Sequence, residues 1–181
     1  MPDDLLTVFP EMDSNPEAVG QLVTSMMQED FLYMLAHSMH LLEFVPRKDS
    51  QAIFSNALRF RPAGHKDEDT PVLAYSLDTR PELIVELCRG YAHRDSSMPC
   101  GAVLREILKN EHVAAIVLYD ESGEDEPAIH VNGIDLDKEQ SGEGVFWKFF
   151  RWIDEGAFEV STDAFTTFRV SALWPATPIR T

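Results

Sequence analysis

Two histidines are the first residues whose spacing could support chemistry. His37 and His40 lie three positions apart, so on a helix they would share one face, as zinc ligands often do. No acidic residue accompanies them in an HExxH arrangement, and no second ligand cluster follows in the chain. We therefore predict core or surface histidines and no metal site.

A second candidate lies in an acidic stretch, where alternating acids resemble the start of a calcium loop. Asp135, Asp137 and Glu139 offer carboxylate oxygens at every second position. A calcium loop needs glycine at its sharp turn and a bidentate acid at its end, but Gln140 and Phe146 occupy those positions. The pattern predicts a solvated loop.

The sequence supports nucleophilic catalysis no better than it supports a metal site. Cys88 and Cys100 are the only cysteines and form no CxxC motif, which is typical of buried free thiols in a reducing compartment. The serines, among them Ser38, Ser55 and the Ser96-Ser97 pair, lack a GxSxG context. We expect no enzymatic activity, no cofactor and no small-molecule substrate.

Charge and hydropathy narrow the possible partners. The 181 residues carry a formal net charge of −16, which argues against a nucleic-acid surface because phosphate binding needs clustered Lys and Arg. The N-terminal region has early acids and only a short apolar run, unlike a secretory signal. No stretch approaches the roughly eighteen apolar residues of a bilayer span. We expect a cytoplasmic protein without a membrane partner.

The elements that must position any site are helices, and the clearest pair lies at 146–169. Apolar residues recur there at helical spacing, and Gly156 separates the first helix from the second. The second helix is predicted to turn Val160, Ala164, Phe165 and Phe168 inward. Trp147, Phe150 and Trp152 are interpreted as core residues, with an exposed partner anchor as the alternative.

Earlier helices are indicated by start and stop signals. Asn15-Pro16-Glu17 predicts a helix start, the next helix runs over 31–44 and is broken by Pro46, and a third covers 49–60. A similar order follows, with starts at Pro71 and Pro81 and a third helix over 97–110. The apolar run 112–119 could be a buried strand by composition, but we predict a helix because a lone strand would lack a partner.

The third helices of successive groups centre near Ile53, Val103 and Ala164. Without the acidic insertion their spacing is about forty to fifty residues, as in armadillo or HEAT arrays. We predict an all-α, armadillo/HEAT-like solenoid of about three three-helix repeats over 15–170. An irregular segment over 1–14, an irregular tail over 171–181 and a disordered acidic loop over 120–143 complete the predicted organisation. That loop holds nine acids and one lysine.

Several blocks, in order, resemble one known family: QAIFSNALRFR (51–61), ELIVELCRGY (82–91) and CGAVLREILKNEHVAAIVLY (100–119). They are similar to the Mo-twenty-five-like family, also called calcium-binding protein thirty-nine, whose fungal branch includes HymA. The resemblance covers roughly 16–169. Chains of this family are longer, so its N-terminal and C-terminal parts are missing here.

The resemblance implies a non-catalytic armadillo-like scaffold that binds and co-activates germinal-centre (sterile-twenty-type) protein kinases or pseudokinases. In fungi it implies signalling for polarised growth and conidiation. The tail after Arg169 departs from the family pattern, as a truncated or alternatively spliced product would. Two alternatives stay open: a solenoid adaptor for trafficking or ubiquitin machinery, and a truncated product without function.

Solenoids commonly bind partners through the last helix of each repeat. We hypothesise that basic residues there form a row that meets acids on a kinase, with one acid beside them. The alternative is that basic residues near helix C-termini only complement the helix dipole. The candidate partner-binding residues are Arg59, Arg105, Glu106, Lys109 and Arg169.

Overall fold

The computed structural model describes residues 15–64, 69–123, 126–135 and 137–172. This part of the chain is helical and contains no β-strand. The predicted all-α class is confirmed. The described residues form nine α-helices: α1 (Pro16–Gln28), α2 (Phe31–Ser38), α3 (Phe44–Arg59), α4 (Pro71–Ala74), α5 (Glu82–Arg89), α6 (Arg94–Ile107), α7 (Glu111–Tyr119), α8 (Val145–Glu155) and α9 (Phe158–Ala172).

Capping side chains explain where two helices begin. The Asn15 side chain accepts a hydrogen bond from the Ala18 N–H at 3.1 Å, and Pro16 occupies the first helical position, where no N–H is needed. Asn110 likewise accepts from the backbone N–H groups of the residues that open α7. The helical interpretation of 112–119 is therefore confirmed, because this cap starts a helix at Glu111.

Two prolines do not lie where the sequence predicted. Pro46 was expected to end a helix, but it lies in the first turn of α3, where a missing N–H leaves no helical acceptor unpaired. The preceding helix α2 ends earlier, at Ser38, and a 3-10 turn follows it. Pro99 lies inside α6, which begins at Arg94 instead of the predicted 97.

Arg47 provides the hydrogen bond that Pro99 cannot. In an α-helix the carbonyl of Asp95 would accept from the N–H of residue 99, which proline lacks. The Arg47 guanidinium donates to that carbonyl at 3.2 Å, and other atoms of the same group bond the carbonyls of Met39 and Leu42. One largely covered cation thereby joins the start of α3, the turn before it and the start of α6.

The helices form three repeats, α1–α3, α4–α6 and α7–α9, and α4 is extended by a π-helical turn, Tyr75–Thr79. Equivalent helices stack on each other: α2 packs on α5 and α5 on α8, while α6 lies between α3 and α9. One continuous core of buried apolar side chains runs through all three repeats. This is the helical-repeat solenoid that the sequence predicted.

A glycine permits the close approach of α9 to α6. A Cβ atom at Gly101 would overlap the Tyr91 hydroxyl and the Asp163 carboxylate. Any larger residue would therefore displace polar groups that connect repeat 2 to repeat 3.

The described residues of the acidic insertion are irregular, as expected, and several of them contact the helices. Asp120 is buried and its carboxylate accepts from the Ile129 N–H at 2.9 Å, while Ala128 is buried in the core. Arg89 donates to the backbone carbonyls of Ser122 and Gly123. These contacts fold the loop back onto α5 and α7.

The predicted boundaries can be compared at one end only. Helix α9 continues to Ala172, two residues beyond the predicted end at 170. The segments expected to be irregular over 1–14 and 173–181 lie outside the described residues. Among the described residues, none of the helices combines the length and apolar character that crossing a bilayer requires.

Replacing Arg47 tests the role assigned to it. We expect Arg47→Met to lower the free energy of unfolding by about 2–3 kcal/mol, because backbone carbonyls lose a charged donor. In a Pro99→Ala background the loss should be about 1 kcal/mol smaller, since the alanine restores the N–H that pairs with the Asp95 carbonyl. Urea unfolding of the four proteins measures both values. Equal losses in the two backgrounds would contradict the role of Arg47 as the replacement donor for the Asp95 carbonyl.

Candidate functional site

The third helices of the repeats carry all five predicted partner-binding residues or lead directly to them. Arg59 is the last residue of α3, Arg105 and Glu106 lie in the last turn of α6, Lys109 follows α6, and Arg169 lies in the last turn of α9. We call the surface formed by α3, α6 and α9 the third-helix face. Of these residues, the structure brings Arg59 and Glu106 together across the α3–α6 junction.

Arg59 and Glu106 form an ion pair between α3 and α6. The Arg59 Nε atom lies 3.1 Å from Glu106 Oε1, and the Arg59 side chain is 68% exposed. Water screens such a pair, and it contributes little to stability. The Arg59 guanidinium therefore remains accessible to a carboxylate of a partner.

Arg105 has a different environment, because its side chain is only 26% exposed. Its Nη1 atom donates to Asp163 Oδ2 and to Thr167 Oγ1, both at 2.8 Å. The Tyr91 hydroxyl donates to the Asp163 carboxylate and lies 2.7 Å from Thr167 Oγ1, whose hydrogen it can accept. Each polar group in this network has a partner, which is the condition under which burial is tolerated.

The electrostatics of the network match its geometry. Burial opposes the charge of Arg105, but the hydrogen bond and the charge of Asp163 outweigh burial and raise the pKa of Arg105. Burial, then the hydrogen bond to Asp163, raises the pKa of Tyr91 well above its usual value. Tyr91 therefore stays a neutral donor, and Arg105 is a structural cation between repeats 2 and 3.

The remaining cations are exposed. Lys109 has no ion-pair partner among the described residues. The Arg169 guanidinium lies 6.0 Å from the centre of the Phe165 ring, which is half exposed although it was predicted to face inward. The buried side of α9 instead passes through Thr167 and Ser171.

Ion pairs join α3 to α6 and α6 to α9, and the charges are arranged in the same order at both junctions. In each pair the cation belongs to the earlier helix and the acid to the later one. The α3–α6 junction has two such pairs, and so does the α6–α9 junction: Arg47–Asp95, Arg59–Glu106, Arg94–Glu159 and Arg105–Asp163. Two of the four hypothesised cations, Arg59 and Arg105, are thus already paired within the chain.

Sequence reasoning missed a set of exposed apolar residues at the starts of the third helices. Phe44 opens α3, Met98 lies in the second turn of α6, and Phe158 opens α9 with 83% of its surface exposed. A shallow groove of about 360 Å³ runs past Phe44 and Met98. The exposure of Phe158 could have been predicted from the sequence, because Phe158 lies outside the apolar stripe through Val160 and Ala164.

The aromatic residues of α8 divide between core and surface. Trp152 is partly buried and stacks on Tyr91, with ring centres 5.7 Å apart. Trp147 is more exposed, and its indole N–H donates to the side chain of Gln140 at 2.8 Å. Phe150 is half exposed and contacts Phe168 edge to face. Neither reading of these residues, core or anchor, applies to the whole set.

The candidate chemical groups do not converge on a reaction centre in the described part of the chain. Cys88 and Cys100 are free and buried, and Cys100 packs on Met39 with their sulfur atoms 3.4 Å apart. Burial raises the pKa of Cys88 and raises that of Cys100 to about 12. Among the described residues, no group of three or more His, Cys, Asp or Glu is arranged to hold a metal ion. The geometry offers surfaces for binding.

Comparison with known proteins gives one family model, described as Mo25-like, that matches residues 3–173. The chain is 53% identical over 159 residues to conidiophore development protein hymA of Emericella nidulans, covering 88% of this chain and 41% of that protein. It is 33% identical over 157 residues to MO25-like protein 2 of Caenorhabditis elegans, covering 87% and 38%.

A human protein, calcium-binding protein 39-like, is 27% identical over 159 residues, covering 88% of this chain and 39% of that protein. The chain therefore spans about two fifths of the length of these relatives. The matched region includes the described helices of all three repeats.

Two arginines in the last turns of neighbouring third helices, Arg59 and Arg105, provide a test of burial. We expect Arg105→Gln to lower the free energy of unfolding by about 2–3 kcal/mol, because Asp163 loses its buried cation. Arg59→Gln should cost less than about 1 kcal/mol, since its pair is exposed. Chemical denaturation measures both variants. Equal effects would show that the Arg105 network does not stabilise the junction.

Thiol reactivity tests the burial of the two cysteines. In the folded chain at about pH 8 we expect Cys88 and Cys100 to resist iodoacetamide, because the reactive form is the thiolate. Mass spectrometry should find alkylation of both only after denaturation. Rapid modification of either thiol in the native chain would contradict its burial.

Proposed function

The chain belongs to the Mo25-like family, and from that premise we propose that it is a non-catalytic scaffold that binds and co-activates a protein kinase or pseudokinase of the germinal-centre type. The supporting observation is the continuous third-helix face, in which α3, α6 and α9 lie side by side. A row of stacked helices presents an extended surface to a partner, as other helical repeats do. No cofactor is required for this role.

The cellular role is proposed from the relatives. The name of the Emericella nidulans protein refers to conidiophore development. We infer that this chain acts in the cytoplasm, in signalling for polarised growth and morphogenesis. Because the chain spans about two fifths of such relatives, it would supply part of the contact surface of the longer proteins.

The contact is proposed to use the exposed side chains of the third-helix face. Arg59, Lys109 and Arg169 can pair with partner acids, since their charged groups are accessible. Arg105 instead contributes by holding α9 against α6, and Glu106 by orienting Arg59. The exposed apolar residues at the helix starts supply the desolvated part of such an interface.

Charge reversal tests this surface. We expect the double variant Arg59→Glu, Lys109→Glu to bind a germinal-centre kinase domain at least about tenfold more weakly, because like charges then face each other across the interface. Surface plasmon resonance with a panel of such kinase domains measures the affinity. Circular dichroism checks that helicity is kept.

A matched control carries the same charge change elsewhere. Lys138→Glu, Lys148→Glu also alters two exposed lysine positions, outside the third-helix face, and should leave kinase affinity unchanged. Equal weakening in both double variants would indicate net charge as the cause. If the unaltered chain binds no kinase of the panel, an adaptor role for another assembly, or a product without function, replaces the kinase proposal.

A further inference from the structure

A cleft of about 670 Å³ lies where the second helices of the three repeats meet. Its walls come from α2 and the 3-10 turn after it, from α5 and the turn that joins it to α6, and from α8. The proposed kinase surface uses the third helices. The cleft, in contrast, is formed mainly by the second helices and the turns next to them. Its volume is typical of pockets that hold small ligands or single side chains.

The cleft is cationic although the whole chain is acidic. Two acids line it, and one of them, Glu86, already binds Arg89 at 2.7 Å and His37 at 3.0 Å. Lys148 is exposed and has no ion-pair partner among the described residues. Basic groups converge here from all three repeats, in a chain with a net charge of −16: His37, His40, Arg89, His93, Lys148 and Arg151.

The histidines present nitrogen atoms that can accept a proton. His40 Nδ1 lies 3.1 Å from the His37 carbonyl, so Nδ1 carries the hydrogen and Nε2 stays available. His37 directs its Nδ1 to Glu86 in the same way. The ring of His93 stacks on that of His40, with centres 4.1 Å apart and planes 10° apart. Two parallel rings this close repel when both are charged, unless an anion compensates.

We propose that this cleft binds a phosphate monoester. A tetrahedral dianion can accept hydrogen bonds from several donors at once, and Lys148 with the stacked histidines supplies them from two sides. Trp147 and Trp152 also line the cleft and provide aromatic surface for the group that carries the phosphate. The ester belongs either to a phosphorylated residue of a partner protein or to a free metabolite, and both offer the same chemistry.

Binding is linked to protonation of the histidines. A bound dianion favours the imidazolium forms of His40 and His93, so the complex takes up protons. The other charged or titratable residues that line the cleft with these rings are His37, Glu86, Arg89, Glu143, Lys148 and Arg151. Affinity for an anion of fixed charge should therefore rise as pH falls from about 8 to about 6.

Sulfate separates the titration of the protein from that of the ligand. Phosphate monoesters change charge near pH 6, whereas sulfate keeps both charges across this range. We expect saturable sulfate binding that is about three- to tenfold tighter at about pH 6 than at about pH 8. Isothermal titration calorimetry in two buffers of different ionisation enthalpy measures affinity and proton uptake. Absence of saturable binding of both sulfate and inorganic phosphate would overturn the proposal.

Single substitutions connect the binding to this cleft. Lys148→Ala should weaken phosphate binding about tenfold, and His40→Gln should remove most of the pH dependence. Lys138→Ala is the matched control, since it removes an exposed lysine that does not line the cleft, and it should change nothing. Equal weakening by Lys138→Ala and Lys148→Ala would show general attraction of anions, and the proposed site would be wrong.

The source of the ester is decided by three ligands. Free phosphoserine, a peptide that contains phosphoserine and the same peptide without phosphate are compared in one titration. Tighter binding of the phosphopeptide than of phosphoserine indicates a partner protein, and equal binding indicates a metabolite. Equal binding of the two peptides would overturn the proposal. Kinase binding through the third-helix face can fail or succeed independently, because its test changes Arg59 and Lys109, neither of which lines the cleft.

Discussion

Helix α6 is buried from two sides at once, and this constraint governs how the repeats can be joined. Its neighbours are α3 and α9, and on the α9 side Tyr91 and Asp163 approach so closely that residue 101 must lack a side chain. Core packing at that density tolerates little change of volume, so polar groups in the junction must be placed as accurately as the apolar ones. The Arg105 network meets this requirement, since each of its members has a partner.

Residues of neighbouring repeats supply hydrogen bonds where the backbone departs from regular helix. Pro99 removes a hydrogen bond from α6, and a side chain of the preceding repeat replaces it. The acidic insertion returns to the body through Asp120 and through the contacts of Arg89 with its carbonyls. In both cases the compensating group is distant in sequence. A single repeat taken from this chain would therefore contain uncompensated polar groups as well as an exposed core.

Much of the architecture followed from the sequence because helix periodicity and caps are local. Asn15 and Asn110 start helices by contacts within three residues, and such signals can be read directly. Pro46 was misinterpreted because a proline is tolerated in the first turn of a helix. The place of Pro99 inside α6 could not be predicted, because it depends on Arg47, 52 residues away in the chain. The site was harder to predict, because Arg59 and Arg105 look alike in the sequence. Only the contacts across the helix junctions show that Arg59 is accessible and that Arg105 has a structural role.

The direction of the ion pairs gives the row of third helices a polarity. Cations of the earlier helix always meet acids of the later helix, so the two edges of each helix are electrically different. Exchanging the two edges of α6 would turn its cations toward the cations of α3 and its acids toward the acids of α9. The charges that connect the repeats therefore also fix the order in which the third helices stack.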